Sequence, residues 1–245
     1  MHNYPYCSQG YSNQYPSQVL WYPSDSEELF NKNLKENYDL LKKYGWLETS
    51  ITYNLNKYGF RSDDFQSPVN ALFFGCSFTF GIGLQDQDVW VNLLKNKLGI
   101  SGCNLGVPGG SMDTAFRLAY YWIKNLKPKY FFLLAPSKYR REYFIQNKFT
   151  RSMVPNREII NESYEKPLLE VYNNEITSDH SSDINFNKNL FGITYLCEKY
   201  NSKLFVVKSE IINFKDFDRS ARDLIHCGLD FQTEIVNLFL KEFNE

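Results

Sequence analysis

Apolar residues fall into two alternating patterns along this chain. Short runs of apolar character occur at Asn70-Ala71-Leu72-Phe73-Phe74, within Ile100–Leu105, at Tyr130-Phe131-Phe132-Leu133-Leu134-Ala135 and at Leu204-Phe205-Val206-Val207. Runs of this kind fit strands buried on both faces, as in a parallel sheet. Between them an apolar residue recurs every three or four positions. Trp90, Leu93, Leu94 and Leu98 mark one helix that ends near Gly99, and Phe116, Ala119, Tyr120 and Ile123 mark a second, with Ser111 or Asp113 as its cap. Further helices are expected over about 184–200 and 229–243. Another begins at Ser26, with Leu29, Asn33, Tyr38, Leu41 and Tyr44 set among charges until Gly45 stops it.

Strands alternating with helices predict an α/β domain with a parallel sheet. The organisation that follows is an N-terminal arm and helix packed on the body over residues 1–65, then the α/β domain over 66–245. Residues 1–24 are rich in Tyr, Gln, Ser and Pro and lack periodicity. Residues 51–64 read as an extended segment with a turn on Gly59, and the polar, aromatic stretch 137–180 reads as an insertion or lid.

Composition narrows the function classes. A chain of 245 residues that is 43% hydrophobic builds its core without disulfides or metal, and the five cysteines stand far apart with no C-x-x-C pair. That spacing fits a reduced compartment. A net charge of −1 with no basic stripe argues against nucleic acid as a partner. No apolar run is long enough to span a membrane. The N-terminus lacks the pattern of a signal peptide; a cytoplasmic location is expected, and association with a virus particle would look the same in sequence. Oligomeric state leaves no mark.

In an open parallel sheet, functional groups collect at the carboxyl ends of strands. Ser77 follows the first run, in Gly75-Cys76-Ser77-Phe78-Thr79-Phe80-Gly81. A serine there either caps the next helix or presents its hydroxyl beside backbone N–H groups that stabilise an oxyanion. Only three histidines are present, His2, His180 and His226. His226 lies three residues after Asp223, a spacing at which the carboxylate can hold one ring nitrogen and leave the other for a serine proton. Asp179 beside His180 is a weaker rival with no strand before it. Lys138, Arg140 and Arg141 form a basic cluster after the third run, suited to a substrate or to solvent. Arg61 reads as a structural tether. Cys76 and Cys227 adjoin the two motifs as small apolar filler or as part of the site's lining.

Taken in order, these segments resemble the SGNH or GDSL-like hydrolase family. Gly75-Cys76-Ser77-Phe78-Thr79-Phe80-Gly81 is similar to its serine block, with Cys76 where aspartate is usual. Asn104-Leu105-Gly106-Val107-Pro108-Gly109 is similar to its N-x-G-x-x-G block, and Ala221-Arg222-Asp223-Leu224-Ile225-His226 to its D-x-x-H block. Asn56-Lys57-Tyr58-Gly59-Phe60-Arg61 resembles the N-x-x-G-F-R segment of some microbial and viral relatives. The resemblance implies a three-layer αβα sandwich around a parallel sheet of about five strands. It also implies Ser77 as nucleophile, His226 as base, Asp223 as its orienter, and the backbone N–H groups of Ser77 and Gly109 as oxyanion donors.

One block departs from the pattern. Where the family carries an asparagine donor after the third strand, this chain reads Ala135-Pro136-Ser137-Lys138-Tyr139-Arg140. Ser137 or Arg140 stands in for it, or another loop does; Ser137, Lys138 and Arg140 are also the expected substrate contacts.

The implied activity is hydrolysis of small acyl esters, with O-acetyl groups on a carbohydrate favoured, and no metal or cofactor. Abundant aromatics suit stacking on sugar rings, although most must fill the core. The alternatives are O-acyl transfer by the same three residues, or a scaffold that binds a glycan or protein without turnover.

Overall fold

The computed structural model describes residues 6–8, 17–145, 149–153, 170–172 and 178–244. Its centre is a parallel sheet of four strands, β3 (Ala71–Phe74), β4 (Gly102–Asn104), β5 (Tyr130–Ala135) and β8 (Lys203–Lys208), in the spatial order β4-β3-β5-β8. Register aligns Phe73 with Phe132 and Phe132 with Phe205. The three rings stack across the strands at 5.2 and 5.0 Å between centroids.

Side chains on a strand point alternately to opposite faces, and here both faces are covered. Phe73, Phe132, Leu134, Phe205 and Val207 pack with Trp90, Leu94, Phe231, Ile235 and Phe239. These come from helix α4 (Trp90–Leu98) and the closing helix α7 (Leu229–Asn244). Leu72, Phe74, Phe131 and Leu133 pack on the other side with Leu118, Ala119, Ile123, Ile193 and Cys197. Those lie on α5 (Met112–Leu126) and α6 (Asp179–Lys199). The expected αβα sandwich is therefore present.

The chain leaves β3 through the short helix α3 (Ser77–Phe80) and α4 on one face, whereas the neighbouring strands β4 and β5 connect through α5 and α6 on the other. Connections diverging to opposite faces open a crevice at the strands' carboxyl ends. Ser77 stands at that point.

Several expectations are corrected. Among the described residues the parallel sheet has the four strands that the apolar runs predict, where the resemblance implies about five. Part of the expected insertion is an antiparallel hairpin, β6 (Arg141–Ile145) with β7 (Phe149–Met153), paired with itself and outside the sheet. Glu142 anchors it to α5 by a buried ion pair with Arg117 at 2.7 Å. Residues 146–148, 154–169 and 173–177 of that expected lid lie outside the described residues, as does most of 1–16. Helix α6 starts at Asp179, capped by the Ser178 side chain, rather than near 184. The cap of α5 is Ser111, in a reciprocal pair with Thr114. The first helix breaks at Asn37 into α1 (Glu27–Glu36) and α2 (Tyr38–Lys43). Among the described residues no helix is long and apolar enough to cross a membrane.

A small antiparallel pair, β1 (Ser17–Val19) with β2 (Tyr53–Leu55), completes the N-terminal part. Arg61 fastens this region to the serine loop: its guanidinium is 3% exposed, donates to the carbonyls of Gly81 and Leu84, and lies 4.6 Å over the Tyr53 ring. It is a structural tether, as expected.

Candidate active site

Ser77 opens helix α3 directly after β3, with its residue 8% exposed. The loop before α7 brings His226 to it: Nε2 lies 2.9 Å from Ser77 Oγ. On the other side of the ring, Nδ1 lies 2.6 Å from Asp223 Oδ2. The second carboxylate oxygen accepts from the backbone N–H groups of Ile225 at 3.0 Å and His226 at 2.9 Å. One aspartate thus fixes both the ring and the loop that carries it. A carboxylate accepting from Nδ1–H leaves Nε2 to accept the serine proton. Phe78 stands edge-on to the imidazole at 5.5 Å and limits its tilt.

The Asp223 loop is strained and held from outside. Leu224 has φ +54°, a region that branched side chains rarely occupy. Asn33 on α1 donates to the Asp223 carbonyl at 3.1 Å from a buried position. Arg222, 3% exposed, binds Asp25 through both Nε and Nη2, the latter at 2.6 Å, and stacks on Trp21. Tyr53 Oη donates to the same carboxylate at 2.6 Å and accepts from the Gly83 N–H. Trp46 Nε1 donates to the Ser220 carbonyl at 2.8 Å.

The glycine-rich turn after β4 approaches the serine loop. Val107 N–H donates to the Gly75 carbonyl at 3.1 Å, and Asn104 Nδ2 donates to the Thr79 carbonyl at 2.7 Å. Gly109 has φ +74°, and among the described residues neither its N–H nor that of Ser77 has an acceptor. Gly106 is needed for the close approach: a Cβ there would lie 2.5 Å from Phe80 N and 2.7 Å from Thr79 C, both backbone atoms. Gly106→Ala is expected to cost about 1–3 kcal/mol as an overpacked site, read as a lower denaturant midpoint. An unchanged midpoint would show that the two segments separate freely.

A cavity of about 330 Å³ borders this arrangement, lined by Cys76, Phe78, Ser137, Arg140, Ser209, Glu210, Ile212 and Phe214. Its walls combine stacked aromatic faces, Phe78 on Phe214 at 5.3 Å, with hydroxyls and two charges of opposite sign. A larger groove of about 410 Å³ beside β1 and β2 contains none of the expected site residues.

Of the expected substrate contacts, Ser137 and Arg140 line the cavity and Lys138 does not. The Lys138 ammonium is held by Asp183 at 2.9 Å and Asp179 at 3.1 Å, and those hydrogen bonds raise its pKa. Asp179 is thereby occupied by Lys138 and Tyr139, and His180 is exposed on α6, so that pair builds no second dyad. Cys76 lines the cavity; Cys227 lies in the apolar core, where burial raises its thiol pKa.

Sequence reading missed Asn33 as a support for Asp223 and missed the wall formed by Ser209, Glu210, Ile212 and Phe214. A polar residue inside the apolar stripe of α1 was the available signal for Asn33. The wall follows β8 in two short turns, and no motif marks it.

No family model and no curated protein matches the chain. Among solved structures, a match is the psychrotrophic esterase EstA from Pseudoalteromonas sp., inhibited by monoethylphosphonate. It shares 14% identity, with 71% of this chain and 97% of that one covered at a TM-score of 0.34. At that distance the likeness carries no weight for the fold or the chemistry.

Proposed function

We propose that this protein is a serine esterase of the SGNH type, cleaving small acyl esters through Ser77, His226 and Asp223. The observation that carries the reading is the hydrogen-bonded chain from Ser77 Oγ through both ring nitrogens of His226 to a buried Asp223 carboxylate. That arrangement does what nucleophilic acyl transfer requires. Ser77 Oγ adds to the ester carbonyl as its proton passes to Nε2, and Asp223 stabilises the imidazolium. The alcohol leaves with that proton, and water, deprotonated by the same nitrogen, clears the acyl-enzyme. The N–H groups of Ser77 and Gly109 are the proposed backbone donors to the oxyanion.

O-acetylated carbohydrate is the favoured substrate. The rings of Phe78 and Phe214 beside Ser137, Ser209, Arg140 and Glu210 offer an apolar wall with the polar partners that sugar hydroxyls use. The test is a series of p-nitrophenyl acetate, butyrate and octanoate, followed by acetylated sugars, with free acetate measured. Turnover of the short esters and acetate release support the reading; an absence of both sinks it. Acetate recovered on an added acceptor sugar would instead identify acyl transfer.

Asn33→Leu tests the support of the base. The change leaves the buried Asp223 carbonyl without its partner, which costs about 1–3 kcal/mol, and frees the loop to shift. A fall in kcat of about 10- to 100-fold is expected, with KM nearly unchanged. A wild-type kcat would show that Asp223 and Leu224 hold the loop by themselves.

A further inference from the structure

The chain leaving β5 has no asparagine to complete an oxyanion hole, and loss of one such donor costs about 10²–10³ in kcat. Arg140 comes from the same segment, turned back by its own N–H bond to the Ser137 carbonyl at 3.2 Å. Its side chain reaches the glycine-rich turn, where Nη1 donates to the Gly110 carbonyl at 3.4 Å. Gly110 adjoins Gly109, and the turn is tied to Gly75, two residues before Ser77. Arg140 also lines the cavity together with Cys76 and Phe78, the residues on either side of Ser77. Arg140 therefore touches the turn and shares one cavity with the two residues that flank the nucleophile.

The other cations of the cluster are engaged elsewhere. Lys138 is held by two aspartates, and Arg141 Nη1 donates to the carbonyls of Lys138 and Arg140. Among the described residues, Gly110 is the sole acceptor for the Arg140 guanidinium, and no carboxylate lies within ion-pair distance of it. Four of its five N–H groups remain for a ligand. Ser137 shares the cavity and keeps one O–H to donate, but among the described residues no hydrogen bond ties its side chain to the turn, as one ties Arg140. Glu210, also in the lining, offsets the positive charge, so the cavity is poorly suited to select an anionic substrate. The spare donors point to a charge that arises during reaction.

We infer that Arg140 donates a hydrogen bond to the substrate oxyanion of the tetrahedral adduct formed with Ser77, in the place where the family pattern uses asparagine. The inference rests on the serine-esterase reading. When the Oγ–carbon bond forms, the carbonyl π pair moves onto oxygen and the serine proton moves to His226. Arg140 keeps its protons and supplies a fixed donor to the new charge.

The experiment compares wild type, Arg140→Met, Arg140→Gln and Arg140→Lys on neutral p-nitrophenyl acetate and on the anionic mono-p-nitrophenyl succinate, with Ser77→Ala alongside. For Met and Gln, a 10²–10³-fold fall in kcat on acetate is expected, with KM nearly unchanged and the unfolding midpoint retained. Lysine should restore part of the loss. A neutral p-nitrophenyl phosphonate diester should label Ser77 more slowly in the Met variant by a similar factor. Wild-type kcat on acetate in an Arg140→Met or Arg140→Gln protein that keeps its midpoint, or a defect confined to KM for the succinate ester, overturns the Arg140 role while leaving the esterase reading intact. Wild-type turnover that Ser77→Ala does not reduce overturns both.

Discussion

Ser77→Ala is expected to lower kcat for p-nitrophenyl acetate by about 10⁴- to 10⁶-fold with little change in stability. The hydroxyl has one side-chain partner among the described residues, His226 Nε2, and Ser77 belongs to neither apolar cluster of the core. Deleting it therefore costs about 1 kcal/mol of folding stability at most. The imidazole stays in place because Asp223 holds its far nitrogen and its backbone N–H. His226→Ala should fall to nearly the same residual rate, and the double variant should fall no further, because the two groups act in one step. Steady-state kinetics with mass spectrometry of the trapped acyl-enzyme decide the matter. A Ser77→Ala protein retaining a tenth of the activity would place the nucleophile elsewhere.

Asp25→Ala should have the largest effect on stability. Its carboxylate is 1% exposed, takes three contacts from the Arg222 guanidinium and accepts from Tyr53. Burial raises the Asp25 pKa even against the pull of Arg222 and Tyr53, the mark of an ion pair whose desolvation is only partly offset. Removing the acid strands a buried guanidinium, with the Leu20 carbonyl and the Trp21 ring as its named remaining partners. The expected cost is about 3–5 kcal/mol, or about 6–20 °C in Tm for a chain of this size. Activity should fall as well, since Arg222 precedes Asp223 and its N–H bonds the Gly83 carbonyl at 2.9 Å. Replacing both partners, Asp25→Leu with Arg222→Met, should recover much of the stability. If the single variant melts within about 2 °C of wild type, the pair does not hold the loop.

The parts of the fold legible in sequence were those whose burial is uniform. β3 and β5 are unbroken apolar runs because helices cover both their faces, and α4, α5 and α7 show stripes because each covers one. The first turn of α6, Asp179-His180-Ser181-Ser182, carries no apolar residue, so the apolar pattern starts five residues after the helix does. The β6–β7 hairpin begins Arg141-Glu142, and Glu142 is buried by pairing with Arg117 on α5, a relation that no local pattern shows. The site divides in the same way. Ser77, Asp223 and His226 stand in compact motifs at the ends of elements. Asn33, Asp25 and the cavity wall after β8 gain their places from contacts across the chain, where spacing carries no signal.

The loop bearing Asp223 and His226 is clasped by residues distant in sequence. Ser77 and His226 are separated by 149 positions, Asn33 and Asp223 by 190, and Asp25 and Arg222 by 197. Contacts of such separation form late, because the entropy of closing the intervening loop is lost before they reward it. A growing chain presents Ser77 long before His226 is synthesised, so the contact between the two side chains can be made only once the segment carrying Asp223 has been added.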